Sequence, residues 1–74
     1  MHKPEYAKQQ LRNFGRKLMQ KRIEKGIRRE DLADMASVNE LTIRRIEQGS
    51  NVTLVSVLKI AKAINVEPGE MFYW

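Results

Sequence analysis

Cysteine is absent from this 74-residue chain, so neither a disulfide framework nor a thiolate metal site can support it. That absence suits a reducing compartment. Histidine occurs once, at His2, which leaves no serine with a convincing general base. A glycine-rich phosphate loop and zinc-ligand spacing are both missing. The acids Glu30, Asp31 and Asp34 cluster, but at the start of a helical stretch they read as dipole and solubility charges. The expectation is therefore a protein with no catalytic residues, no metal and no cofactor. No apolar run approaches the roughly 18 residues needed to cross a bilayer, and the basic N-terminus leads into no signal-peptide core. A soluble, cytoplasmic protein follows as the expected class.

The length allows one small domain, and a chain of this size buries only about 60 % of its unfolded surface. Good helix packing or pairing of subunits must supply the rest of its stability. The net charge is +5, and it is unevenly spread. Residues 1–29 carry ten Lys/Arg against Glu5 and Glu24, a balance of +8, whereas residues 30–74 sum to −3. A basic half fits a polyanion partner, because each neutralised phosphate releases condensed counterions; ordinary solubilising charge is the plainer account.

The chain is organised around residues 28–49, RREDLADMASVNELTIRRIEQG. Leu32, Ala33 and Ala36 suit one face of a short helix, and Ile43 and Ile46 mark the buried face of a second. Asn39 is a good N-cap for that second helix, and Gly49 a good left-handed stop after it. Two short helices with a tight turn form a helix-turn-helix. Glu40, Leu41, Thr42, Arg44 and Arg45 point away from the Ile43/Ile46 side or flank it. Arginine can grip guanine in two places, glutamate can accept from cytosine, and threonine or leucine can touch a thymine methyl. A solvated polar face is the competing account.

Before this stretch, Pro4 can begin a helix with Glu5 in its first turn. Leu11, Phe14, Leu18 and Ile23, with Tyr6 or Ala7 before them, give a buried stripe edged by Lys8, Arg12, Arg16, Lys17, Lys21 and Lys25. A basic amphipathic helix can also lie on a membrane, but the later helices need this stripe as core, so no membrane partner is expected. Gly26 ends the helix and Ile27 turns inward. After it, Thr53 is an N-cap for a helix whose core face is Leu54, Val57, Leu58, Ala61 and Ile64, widened by Val55 and Ile60. Asn65 can stop it, and Glu67-Pro68 can start a last short helix. Met71, Phe72, Tyr73 and Trp74 close the chain as an apolar cluster, either packed on the domain's own core or forming a dimer contact.

Gly15, Arg22, Gly26-Ile27, Leu32-Ala33, Val38, Thr42-Ile43, Ile46-Glu47-Gln48-Gly49, Leu54, residues 58–64 and Val66 carry a resemblance to the Cro/phage-repressor, or XRE-like, helix-turn-helix family. The likeness runs from about Phe14 to Phe72. It implies an all-α, compact five-helix, lambda-repressor-like domain with helices at about 4–25, 29–36, 40–47, 53–64 and 68–72. Residues 1–13 form a basic extension continuing into the first helix, residues 14–72 the domain, and residues 73–74 an aromatic end. The implied function is a sequence-specific regulator of transcription, repressor-like, reading double-stranded DNA with residues 40–47 in the major groove.

The same resemblance pairs Arg22 with Glu47 and places another backbone close to Gly15. It makes Glu40, Leu41, Thr42, Arg44 and Arg45 the candidate base readers, with phosphate the alternative contact for Arg44, and gives backbone contact to Arg28, Arg29, Asn39, Ser50 and Asn51. A homodimer on a near-palindromic operator is implied. Two positions depart from the family pattern. Arg28 stands where Ser or Thr usually caps the helix, and Ser37 stands where glycine usually takes a left-handed conformation. An antitoxin-like module, whose main partner is another protein, is the alternative function.

Overall fold

The computed structural model describes residues 4–73, with side chains from Glu5 to Met71. Four α-helices, α1 Pro4–Glu24, α2 Arg29–Ala36, α3 Glu40–Glu47 and α4 Leu54–Ala63, are followed by a 3₁₀ segment, Pro68–Tyr73. The expected five-helix count therefore becomes four α-helices and one 3₁₀ helix. Helix α1 stops at Glu24 rather than residue 25. Helix α4 begins and ends one residue inside the expected bounds of 53–64, since Thr53 and Ile64 are its caps. No strand occurs among the described residues.

The four α-helices end alike. The backbone N–H of Ile27 reaches the Arg22 carbonyl at 3.0 Å; Val38 reaches Ala33, Ser50 reaches Arg45 and Val66 reaches Ala61, each at 2.9 Å. Within each closure one residue has positive φ: Gly26, Ser37, Gly49 and Asn65. This six-residue hydrogen-bonded stop satisfies carbonyls that the helix itself cannot. Three of the closing residues, Ile27, Val38 and Val66, then pack against the core, so each stop also turns the chain inward.

That core joins Leu18, Leu32, Ala33, Ala36, Ile43, Ile46, Val57, Ile60, Ala61, Ile64 and Met71, with Phe14 and Val52 at its edge. Helix α1 packs on α3, α2 on both α3 and α4, and α4 on the 3₁₀ segment. Two expected core stripes shift. In α1 the inward row is Leu11, Phe14, Gly15, Leu18 and Arg22. Ile23 is 62 % exposed, because Arg22 takes the inward slot and finds polar partners there. Tyr6 and Ala7, expected on the buried stripe, are exposed instead. In α4 the buried row is Val57, Ile60, Ala61 and Ile64, at helical spacing. Leu54, Val55 and Leu58, expected in the core, are exposed instead, at 61 %, 60 % and 45 %.

Candidate nucleic-acid interface

Helix α3 is held on two sides. Ile43 and Ile46 are fully or nearly fully buried, and the carbonyl of Ile46 lies under Gly15, where a β-carbon would collide with it. The helix is thus fixed by its apolar side and by its C-terminal turn. Its first turn and outward side stay open. Glu40, Leu41, Arg44 and Arg45 are exposed together, and Thr42 sits half-buried at their flank. Gln48, one turn beyond Arg44, extends the same exposed row. Its spacing was visible in the sequence, but the helix-stop pattern around it drew the reading elsewhere.

Two turns of backbone frame this face. Asn39 occupies the N-cap of α3 and its carbonyl accepts from Thr42 N–H at 3.0 Å, yet its side chain makes no capping bond. The expected side-chain cap is absent, so Asn39 leaves the first N–H groups of α3 uncapped, and its amide stays exposed beside the first turn. At the start of α2, Arg28 likewise offers no cap. It bridges Glu30 at 3.0 Å and Asp31 at 2.9 Å. The hydrogen bond to Asp31, then the charges of Asp31 and Glu30, raise the Arg28 pKa above its ordinary value. Ser50 and Asn51 are exposed in the loop after α3.

Beneath the face lies a three-residue charge network. Arg22 Nε donates to Glu47 Oε2 at 2.7 Å, and Arg22 Nη1 donates to the Ile27 carbonyl at 2.9 Å. Arg29 Nε donates to Glu47 Oε1 at 2.9 Å. The Glu47 side chain is 3 % exposed, Arg22 9 % and Arg29 39 %. Two guanidinium groups thus share one buried carboxylate, which ties α1 and the N-terminus of α2 to the end of α3. The Arg29 link was missed from sequence, because nothing in local spacing brings residues 29 and 47 together. On the surface, Arg44 Nη2 donates to Glu40 Oε1 at 2.9 Å along α3.

These groups border one cleft of about 380 Å³, lined by Arg22, Arg28, Arg29, Glu30, Glu40 and Arg44. Four arginines converge there, three from α1, α2 and α3 and Arg28 from the residue before α2. Arg45 is adjacent in sequence to Arg44 and holds no ion pair among the described residues. Of the expected base-reading and backbone residues, the cleft brings together Arg28, Arg29, Glu40 and Arg44. The terminal cluster divides differently. Met71 is 1 % exposed and belongs to the core of its own chain, so it cannot serve as the expected dimer contact. The side chains of Phe72 and Tyr73, and Trp74 altogether, lie outside the described residues.

The helix-turn-helix family profile matches residues 18–71. Among solved structures, the restriction-modification controller protein C.AhdI from Aeromonas hydrophila is similar at 37 % identity, with a TM-score of 0.79. That match covers 82 % of this chain and 94 % of the other. No curated protein matches the sequence. No helix among the described residues is long and apolar enough to cross a membrane.

Proposed function

Since the chain belongs to the helix-turn-helix family, of XRE type, and is a DNA-binding regulator of transcription, we propose that α3 reads a specific double-stranded sequence from the major groove. One observation carries this reading. The apolar side of α3 is wholly committed to the core, while its opposite side presents Glu40, Leu41, Arg44 and Arg45 beside a cleft lined with arginine. Those side chains supply donors for guanine, an acceptor for cytosine and an apolar contact for a thymine methyl. Thr42, at the flank, is a further base contact.

Arg28, Arg29, Asn39, Ser50 and Asn51 hold the phosphate backbone. The uncapped starts of α2 and α3 support this role, since their first N–H groups remain available to an anion. The regulator is repressor-like. It binds as a homodimer through Leu54, Val55 and Leu58 of α4, an apolar trio about half exposed or more. Two copies would set their α3 helices about one DNA turn, roughly 34 Å, apart and select a near-palindromic operator. Its likeness to a restriction-modification controller favours a similar controlling role. The protein acts in the cytoplasm and needs no cofactor or enzymatic activity for this task.

Selection of binding sites from random duplex DNA, at low and at physiological salt, tests the proposal. An enriched inverted repeat that survives the higher salt is the expected result. Binding without any motif, fading as salt rises, would leave only the electrostatic attraction of a basic surface. The function would then return to the protein-binding alternative.

A further inference from the structure

Glu40 and Arg44 stand one turn apart on the exposed face of α3, and their head groups touch at 2.9 Å. Both side chains remain about half exposed, 43 % and 52 %, so the pair sits on the surface rather than under it. Building on the reading of α3 as the recognition helix, we infer that Glu40 and Arg44 act as one unit that selects a single C·G base pair.

The spacings of the two pairs match. In the major groove cytosine offers only the N4 amino donor, and guanine offers the O6 and N7 acceptors. Cytosine N4 and guanine O6 are joined by an N–H···O hydrogen bond, which places donor and acceptor about 2.9–3.0 Å apart. The Glu40 oxygen and the Arg44 nitrogen present an acceptor and a donor at the same separation. Set against the base pair, the carboxylate meets the second N4 hydrogen and the guanidinium meets both O6 and N7. Arginine has five N–H donors, so Arg44 can keep its bond to Glu40 while giving two more to guanine. The pair therefore need not open to bind.

Reversal of the base pair, or its replacement, fails for identifiable reasons. Against G·C the carboxylate faces O6 and N7, and the guanidinium faces an amino group, so like meets like twice. Against T·A the carboxylate faces the O4 acceptor; against A·T it meets the adenine N6 donor and the guanidinium meets thymine O4, but the second acceptor, guanine N7, is gone and the thymine methyl stands in its place. Glu40 also keeps Arg44 from gripping phosphate, because any phosphate near Arg44 must approach a carboxylate at hydrogen-bond distance from it. The unit thus restrains non-specific binding as well as favouring one base pair.

The test is site selection, followed by affinity measurements on the selected operator and on a random duplex, for the native protein, Glu40→Gln, Arg44→Ala and the double variant. Both positions are exposed, so the core is untouched. Each single variant is expected to lose preference at the same C·G pair, by about 5- to 150-fold, the range for one good base contact. The double variant should lose little more than either single one, since coupled residues are not additive. Glu40→Gln should also bind random duplex more tightly. Losses at two different base pairs, or losses that multiply in the double variant, would overturn the inference. So would equal weakening of operator and random duplex by Arg44→Ala, which would make Arg44 a phosphate contact while leaving base reading by Arg45 intact. Absence of any motif for the native protein would instead sink the recognition-helix reading and this inference together.

Discussion

Gly15 of α1 lies against the carbonyl oxygen of Ile46, so closely that no β-carbon fits between them. The Glu47 Cα and carbonyl carbon are each 3.1 Å from the same point, so the obstacle is backbone on every side. A flexible side chain could swing aside; the last turn of α3 cannot. Glycine, which costs a helix interior about 1 kcal/mol relative to alanine, is here the condition for seating α3. Gly15→Ala should therefore destabilise the protein by about 1–3 kcal/mol despite the better helix propensity. It should also weaken DNA binding by displacing α3. Urea unfolding checks the first effect, and unchanged stability would show that α1 and α3 can slide apart freely.

The buried carboxylate of Glu47 gives a second expectation. It accepts from Arg22 and Arg29, and Arg22 is itself buried. Removing the acid leaves a buried guanidinium without its counter-charge, and breaking such a pair from one side costs about 3–5 kcal/mol. Domains of this size have total stabilities of about 4–11 kcal/mol. Glu47→Ala should thus be largely unfolded at moderate urea. Arg29→Ala should cost much less, because that side chain is 39 % exposed and solvent screens its share. Equal destabilisation by the two variants would contradict this division.

What could be read from the sequence here follows a physical boundary. The left-handed stops at Gly26, Gly49 and Asn65 were legible because backbone chemistry is local: glycine or asparagine after an apolar periodic run suits few other places, whereas the one at Ser37 followed from the family resemblance. The inward rows were legible only where periodicity was unambiguous. Ile23 loses its expected inward place because Arg22, with polar partners 25 and 5 residues away, takes that slot, and only the family resemblance, which pairs Arg22 with Glu47, pointed there. Leu54 fits the α4 core period but falls in the first turn, beyond the reach of the facing helices. The candidate base-reading row could be listed by eye from spacing, yet the shared carboxylate that anchors it joins residues 29 and 47 and needs the fold.

Arg45 and Arg28 should separate by role. Arg45 is exposed on α3 with no ion pair among the described residues, so a base contact costs it no internal bond. Arg45→Ala should weaken the selected operator by about 1–3 kcal/mol and relax one base position. Arg28 lies at the α2 start between two carboxylates. Its removal should lower affinity for all duplexes alike and flatten the salt dependence. Electrophoretic mobility shifts across a salt series distinguish the two patterns, and an Arg28 variant that harms a single sequence would reverse the assignment.

The exposed apolar trio on α4 predicts an effect on assembly. Leu58 is 45 % exposed, one residue beyond the buried Val57, so a charge there leaves the core row intact. Leu58→Glu should shift the protein toward monomer in sedimentation equilibrium without lowering its unfolding midpoint at low concentration. Operator affinity should fall with it, because a monomer loses the second half-site. A dimer that persists in this variant would move the contact to another surface.

Ser37 marks a place where the chain could be improved. It holds φ 57°, ψ 45° between α2 and α3, in the left-handed region where a β-carbon crowds the following carbonyl. Its N–H bonds Asp34 O, and Val38 N–H bonds Ala33 O, so the turn geometry is fixed by main chain alone and the serine side chain holds no bond among the described residues. Glycine would relieve a strain of roughly 1–2 kcal/mol, less the extra freedom it gives the unfolded chain. Ser37→Gly should therefore stabilise the protein by about 0.5–1 kcal/mol, raising the urea midpoint with an unchanged denaturant slope. DNA affinity should stay the same, since the angle between α2 and α3 is already set by the Val38 closure and by Leu32, Ala33, Ile43 and Ile46 in the core. A change in operator affinity at equal fold stability would mean that Ser37 tunes the inter-helix angle as well as tolerating it.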